Sequence, residues 1–370
     1  MKIEELLAEK LELRKEKNLL RKLKHANNLI DFCSNDYLGL TQDNILKQKI
    51  EKAFKDIKNS KLGSGGSRLL SGNSQLVEKV EQQLAKTHQS ESALIFNSGY
   101  AANLSIFSSI PQKNDTIIYD ELSHACIKEG ARLSFANRLS FKHNDITDLE
   151  KKLEKAKGTK FIAVESIYSM DGDESPIDEI LDIAKIYDAN VIVDEAHSTG
   201  LWGEKGGGFC VEKRVHDKVF ARIHTFGKGI GAHGACIVGS DILKQYLINF
   251  ARPFIFTTSL PDHNLITIQE AYKFIAKNPQ RWISLKEKIK LFKSIVKVKS
   301  IQSNSPIQAI LFPGNKNARK VSRLINNHGY DVRPILSPTV KAGVERIRVC
   351  IHDFNTNEDI IRLAKLINEL

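Results

Sequence analysis

Between residues 90 and 240 the chain repeats one hydropathy pattern, in which short apolar runs are separated by longer stretches with helical spacing. The runs cover residues 93–96, 116–119, 160–165, 190–194, 220–225 and 235–239. A strand reads as continuously apolar when both of its faces are buried, and strands that alternate with helices achieve this in a mainly parallel sheet covered on both sides. The pattern therefore predicts an α/β domain. In open sheets of that kind ligands collect beyond the carboxyl ends of the strands, so the residues just past each run are the candidates for chemistry.

The flanks read differently. Residues 3–23 set Leu6, Leu13, Leu20 and Leu23 near one face of a charged helix, the pattern of an arm that packs on a larger body. Past residue 262, two helical stretches precede runs at 308–312, 331–335 and 347–351 and a last helix near 358–370, the order of a smaller α+β unit. The expected division is an N-terminal helical arm and strand over 1–40, a large α/β domain over 41–262 and a small C-terminal α+β domain over 263–370. No internal repeat or Gly/Ser linker separates these parts, which predicts one packed body.

No apolar run approaches the roughly 20 residues that cross a bilayer. The first 23 residues alternate charges with leucines instead of forming the apolar segment of a secretory signal, so neither a membrane role nor export is expected. Cys33, Cys126, Cys210, Cys236 and Cys350 are odd in number, far apart and without a Cys-x-x-Cys pair. They read as reduced thiols in a cytoplasm, which leaves the glycosylation sequon at Asn103 accidental. The 55 Lys and Arg exceed the 44 Asp and Glu by a net +11, a balance that suits a nucleic acid or another anionic partner. Lysines run the whole length of the chain, so the excess alone reads as a lysine-rich surface.

The sharpest local signal is Val191-Ile192-Val193-Asp194-Glu195-Ala196-His197, where a buried-strand pattern ends in a carboxylate and a histidine follows three residues later. A second run ends at Thr225-Phe226 and meets Gly227-Lys228-Gly229, a lysine whose glycine neighbours leave it room to approach a ligand. Lysine amines form Schiff bases, and pyridoxal phosphate also needs an acid near its pyridine nitrogen. Taken singly, Asp194 is better read as a helix cap and Lys228 as a loop cation. Together they meet both demands of the cofactor. Residues 96–103, Phe-Asn-Ser-Gly-Tyr-Ala-Ala-Asn, pass from a strand end into a helix start, where Ser98, Gly99 and Tyr100 offer an anion free amides and the positive end of a dipole. The plainer alternative is an ordinary helix capped by Ser98.

Other motifs are less specific. His124 follows another apolar run and can lie on a cofactor ring or cap the next helix. Gly229, Gly231 and Gly234 spell a dinucleotide fingerprint, but the strand pattern that follows makes a strand-to-strand turn the better reading. The glycine-rich loop at 63–68 lacks the Gly-Lys-Ser ending of a P-loop, and the spacings of His124, His197, His224 and His233 match no zinc pattern. Arg346 and Arg348 share one strand face, either as a carboxylate clamp or as a solvated edge pair.

With these motifs in order, the chain resembles the α-oxoamine synthases, fold-type I pyridoxal-phosphate enzymes that condense an amino acid with an acyl thioester and release carbon dioxide. The residues carrying the resemblance are 34–40 (SNDYLGL), 63–72 (GSGGSRLLSG), 98–103 (SGYAAN), 123–125 (SHA), 169–173 (SMDGD), 194–197 (DEAH) and 225–229 (TFGKG), and the match runs nearly end to end. Two departures stand out. Residues 349–354 read Val-Cys-Ile-His-Asp-Phe where relatives often have a Thr-containing turn, and Tyr100 replaces a frequent phenylalanine.

The resemblance implies a PLP-dependent transferase of fold type I, with a mainly parallel seven-stranded sheet between helices, pyridoxal 5'-phosphate as cofactor and a homodimer with shared active sites. It implies Lys228 as the Schiff-base lysine and proton carrier at the amino-acid α-carbon, Asp194 at the pyridinium nitrogen, His124 stacked on the ring, and His197 and Ser169 at the phenolic oxygen. Ser98, Gly99, Tyr100 and Thr225 would hold the phosphate, joined by Thr257 of the second subunit. Arg348 would take the substrate carboxylate, with Arg21 and Asn35 lining the acyl side. Within the group the glycine loop is most similar to that of the biotin-pathway member, which joins L-alanine to a pimeloyl thioester carried by CoA or by acyl carrier protein. Serine palmitoyltransferase and 2-amino-3-ketobutyrate CoA ligase are the competing members. A basic nucleic-acid binder built on the same scaffold is the non-enzymatic rival, and the retained Lys228, Asp194 and His197 speak against it.

Overall fold

The computed structural model describes residues 2–21, 23 and 28–370. Its strands, in chain order, are β1 (Ile30–Asp31), β2 (Ser92–Phe96), β3 (Thr116–Asp120), β4 (Asn137–Phe141), β5 (Lys160–Glu165), β6 (Ala189–Asp194), β7 (Ala221–Thr225), β8 (Ala235–Gly239), β9 (Ile307–Leu311), β10 (Tyr330–Asp331), β11 (Arg333–Ile335) and β12 (Arg346–Cys350). β2 to β8 form one seven-stranded sheet in the order β2-β8-β7-β6-β5-β3-β4. β8 runs antiparallel to both neighbours and every other pair is parallel. Helices cover both faces, so successive side chains enter different cores. Phe161, Ala163, Ile192 and Ile223 pack on one side, and Ile162, Val164, Val191 and Val193 on the other. This two-sided burial is the reason the strands read as continuous apolar runs.

One strand escapes that pattern. β4 is Asn-Arg-Leu-Ser-Phe with Phe141 its one buried residue, and it lies at the edge of the sheet, where little apolar surface is needed and charge is favoured. The glycines after β7 do make a strand-to-strand turn: Phe226 donates to the Gly234 carbonyl at 2.9 Å, and Gly231 and Gly234 take positive φ values of 64° and 109°.

The N-terminal helix is shorter than its leucine spacing predicts. It spans Ile3–Glu16, none of its residues is buried, and Leu20 and Leu23 lie beyond its end. Asn18 adopts a left-handed φ of 54°, and the Leu19 amide closes back onto the Arg14 carbonyl at 2.7 Å, which stops the helix. At the other end of the chain β9, β12 and β11 form an antiparallel sheet in the order β11-β12-β9, packed by the helices Asn315–Asn327 and Asn357–Asn368. The run expected at 331–335 is divided between two sheets, because β10 pairs in parallel with β1 while β11 pairs with β12. The N-terminal segment is thereby stitched into the C-terminal unit: Phe32 accepts from the Cys350 amide, and Tyr37 from the Asp353 amide, both at 2.8 Å. Among the described residues no helix is long and apolar enough to cross a membrane.

Candidate active site

The parallel strands direct the ends of β2, β5, β6 and β7 to one edge of the sheet, and a cavity of about 290 Å³ opens there. It is lined by Asn35, Ser98, Gly99, Tyr100, His124 and Asp194, and by His197, Thr225 and Lys228. Nine of the thirteen site residues expected from the sequence thus meet in one place. Ser169 lines a neighbouring cavity that shares His124. Arg348 lies behind Asn35, Thr257 sits in a small separate pocket with Arg68 and Asn97, and Arg21 is exposed away from the cavity.

Asp194 ends β6 with 5% of its surface exposed. Its Oδ1 accepts from the Ala196 amide at 2.9 Å, the cap-like contact that its sequence position suggests. Its Oδ2 accepts from Asn103 Nδ2 at 2.7 Å. Asn103 comes one turn into the helix Gly99–Ser109, and its own Oδ1 is buried without a partner. Ser98 caps that helix by accepting from the Ala101 amide at 3.1 Å, as the capped-helix reading expects, and the helix start also lines the cavity. Close packing sets the cradle's shape: a Cβ on Gly99 would lie 2.3 Å from Thr225 Cγ2.

Lys228 is half-buried on the turn after β7. A Cβ on Gly227 would make only an ordinary contact, 3.7 Å from the Ala232 carbonyl, whereas a Cβ on Gly229 would meet the Thr199 carbonyl at 2.7 Å. Gly229 is therefore needed for packing against the turn after β6, while Gly227 is not demanded by packing. Burial lowers the Lys228 amine below its ordinary value, with Asp194 and Glu165 opposing the shift. Its Nζ lies 2.9 Å from His197 Nε2, and His197 Nδ1 lies 2.7 Å from the Tyr37 hydroxyl. Tyr37 donates to Asn35 Oδ1 at 3.0 Å, which also accepts from Arg348 at 2.8 Å. With Tyr37 spent as a donor, the network assigns the His197 proton to Nδ1 and leaves Nε2 to accept from Lys228. Burial holds His197 well below its ordinary pKa, so the ring is neutral.

His124 caps the helix Ala125–Leu133, accepting from the Cys126 amide at 3.2 Å, while its ring lines the cavity. Burial lowers its pKa, and Lys228 and Lys128 act in the same direction. Arg346 and Arg348 are both buried on the central strand β12, which replaces the solvated edge pair as a reading. Arg346 pairs with Asp171, and Arg348 donates Nε to the Ser169 carbonyl at 2.7 Å.

Three residues were not singled out from the sequence. Glu165 ends β5 in register with Asp194 and accepts from the His124 amide at 2.6 Å. Burial pushes its carboxyl up to about 8, with Asp194 adding to the rise. A run ending in an acid, as β6 does, was the available signal. Tyr37 and Asn103 lay inside quoted motifs, but only the fold reveals that they hold His197 and Asp194.

A free amine, a buried carboxylate and a helix N-terminus facing one cavity are the donor set that pyridoxal 5'-phosphate requires, and the unpartnered Asn103 Oδ1 marks a polar wall that a polar group completes. The class I and II aminotransferase family model matches residues 27–364. Among curated proteins, the 8-amino-7-oxononanoate synthase of Emericella nidulans is 38% identical over 98% of this chain and 94% of its own. That of Lysinibacillus sphaericus is 35% identical over 92% and 88%. Among solved structures, a serine palmitoyltransferase from S. paucimobilis with a bound PLP–myriocin aldimine has a TM-score of 0.88 at 25% identity, covering 98% of this chain and 96% of that one. An 8-amino-7-oxononanoate synthase from Francisella tularensis has a TM-score of 0.79 at 27% identity, covering 92% and 97%. The cofactor is pyridoxal 5'-phosphate. The chain belongs to the class I and II aminotransferase family and, within it, to the α-oxoamine synthases.

Proposed function

We propose that the protein condenses L-alanine with a pimeloyl thioester, on CoA or on acyl carrier protein, giving 8-amino-7-oxononanoate, carbon dioxide and free thiol. The observation that carries this reading is the convergence of Lys228, Asp194 and the N-terminus of the helix Gly99–Ser109 on one cavity, in a chain whose relatives of that name match it over nearly their whole length. When bound, the cofactor supplies an electron-accepting ring that stabilises negative charge at the amino-acid α-carbon. Lys228 removes and returns the α-proton. Its lowered pKa keeps a share of the amine neutral for that work. Asp194, fixed by Asn103 and the Ala196 amide, would pair with the ring nitrogen, and His124 would cover the ring face. Ser98, Gly99, Tyr100 and Thr225 would hold the phosphate. His197 and Ser169 would reach the phenolic oxygen, and Arg348 would take the alanine carboxylate, with Arg21 and Asn35 on the acyl side.

The homodimer belongs to the same proposal. Leu62, Leu70 and Phe256 are 94%, 85% and 74% exposed, and the Ser67–Thr258 bridge joins the loop carrying the first two to the segment carrying Phe256 and Thr257. An apolar patch there, next to a threonine excluded from its own chain's cavity, suits a second copy that receives Thr257. The five free thiols suit a reducing cytoplasm.

The test is a visible-spectrum titration of the protein with pyridoxal phosphate present, using L-alanine, glycine and L-serine in turn, followed by product analysis with pimeloyl donors. Tightest response to L-alanine, with release of free thiol, is expected. Tightest response to L-serine, with no turnover of pimeloyl donors, would transfer the chain to the serine-using branch.

A further inference from the structure

The charge of this chain is segregated. Residues 263–370 hold 19 Lys and Arg against 8 Asp and Glu, whereas residues 1–262 hold 36 of each. The whole net +11 therefore sits in the C-terminal unit. Lysines are spread along the chain, but the acids that balance them are not. Within that unit the helix Asn315–Asn327 contains no acidic residue. Lys316, Lys320 and Arg323 recur at the spacing of one helical face and are exposed, while Ala318, Val321 and Ile325 bury the opposite face. Among the described residues none of the three cations has a carboxylate at ion-pair distance.

The start of this helix is tied to the wall of a second cavity beside the site. Asn315, next to Lys316, donates to the Ser337 carbonyl at 3.2 Å and accepts from its amide at 2.9 Å. The turn so fixed continues into Thr339, Val340 and Lys341, which line the cavity of about 340 Å³ that shares His124 with the cofactor cavity. Leu122 and Met170 give this cavity apolar walls, and Lys128 adds a cation.

We propose that the outer face of the helix Asn315–Asn327 docks an acidic acyl carrier protein, whose thioester-bearing arm enters the cavity beside His124. The proposal rests on the thioester reading above and selects a protein carrier over free CoA. A stripe from residue 316 to 323 extends about 10 Å along the helix, and Lys286, Lys290, Lys297 and Lys299 extend the exposed charge over the rest of the unit. That is the extent of a macromolecular partner, and its position near a cavity that shares His124 with the cofactor site favours a carrier over a nucleic acid.

Calorimetric titration with pimeloyl-acyl carrier protein is compared for the parent protein and the K316E/K320E/R323E variant, alongside steady-state kinetics with pimeloyl-CoA and binding of a 20-base-pair DNA duplex. The expected result is carrier affinity at least tenfold weaker in the variant, a parent affinity that falls as salt is raised, and pimeloyl-CoA kinetics within twofold. Unchanged carrier affinity in the variant, or DNA bound more tightly than carrier by the parent, overturns the proposal. Binding is read without turnover, so charge-sensitive carrier binding with no reaction from either pimeloyl donor would support the docking surface and count against the alanine–pimeloyl reading alone.

Discussion

Asn103 shows how much of a catalytic site is carried by residues that touch no obvious chemistry. Its amide holds one oxygen of Asp194, and that oxygen would otherwise be a buried acceptor with one partner fewer. A hydrogen bond to a charged group is worth roughly 1.5–3 kcal/mol. Asn103→Ala is therefore expected to weaken pyridoxal-phosphate binding by about tenfold or more while the protein stays folded, as measured by fluorescence titration against circular dichroism. At this scale the sequence was informative where two residues together answer one chemical demand, as Lys228 and Asp194 do. Tyr37, Glu165 and Asn103 are ordinary residue types, and their roles depend on neighbours 160, 41 and 91 positions away. Arg346 and Arg348 had two readings in the sequence because burial decides between them, and a strand's place in its sheet is set by segments far along the chain.

The helix Gly99–Ser109 and the end of β7 form one unit. With a Cβ on Gly99 falling 2.3 Å from Thr225 Cγ2 and both groups attached to short side chains on fixed backbone, neither can yield easily. Gly99→Ala is expected to displace the helix start and lower pyridoxal-phosphate affinity at least tenfold, since overpacking costs about 1–3 kcal/mol. Adding Thr225→Ser deletes the clashing methyl, so the double variant should regain most of the loss in the same titration. Elements buried on both faces were legible from hydropathy alone. The edge strand β4, the two short pieces β10 and β11, and the early stop of the first helix were not, because each depends on pairing or backbone closure and not on composition.

Across the whole molecule, buried histidines set opposing pH limits. His88 and His224 stack at 3.6 Å between ring centroids under the sheet, and burial lowers His88 to about 3 and His224 well below its ordinary value. Their contribution is full above the unfolded value of about 6.5 and is lost as pH falls below it. His143 has the opposite sign. Burial alone would lower it, but hydrogen bonds to Asp120 and Asp173 overcome that and raise it to about 10. Its contribution is full below about 6.5 and declines as pH rises toward 10. Urea unfolding midpoints should therefore peak near neutrality, and His143→Gln should flatten the alkaline limb, removing about 2 kcal/mol of the change between pH 7 and 9. A limb unchanged by that substitution would locate the alkaline loss elsewhere. The parallel pairing of β1 with β10 has a bearing on biosynthesis. Asn35 and Arg348 stand 313 positions apart, and among the described residues β1 pairs with residues 330–331 alone. During translation the strand Ile30–Asp31 stays without this partner until residues 330–331 have been made, so the contact between Asn35 and Arg348 at the edge of the cavity is among the last to form.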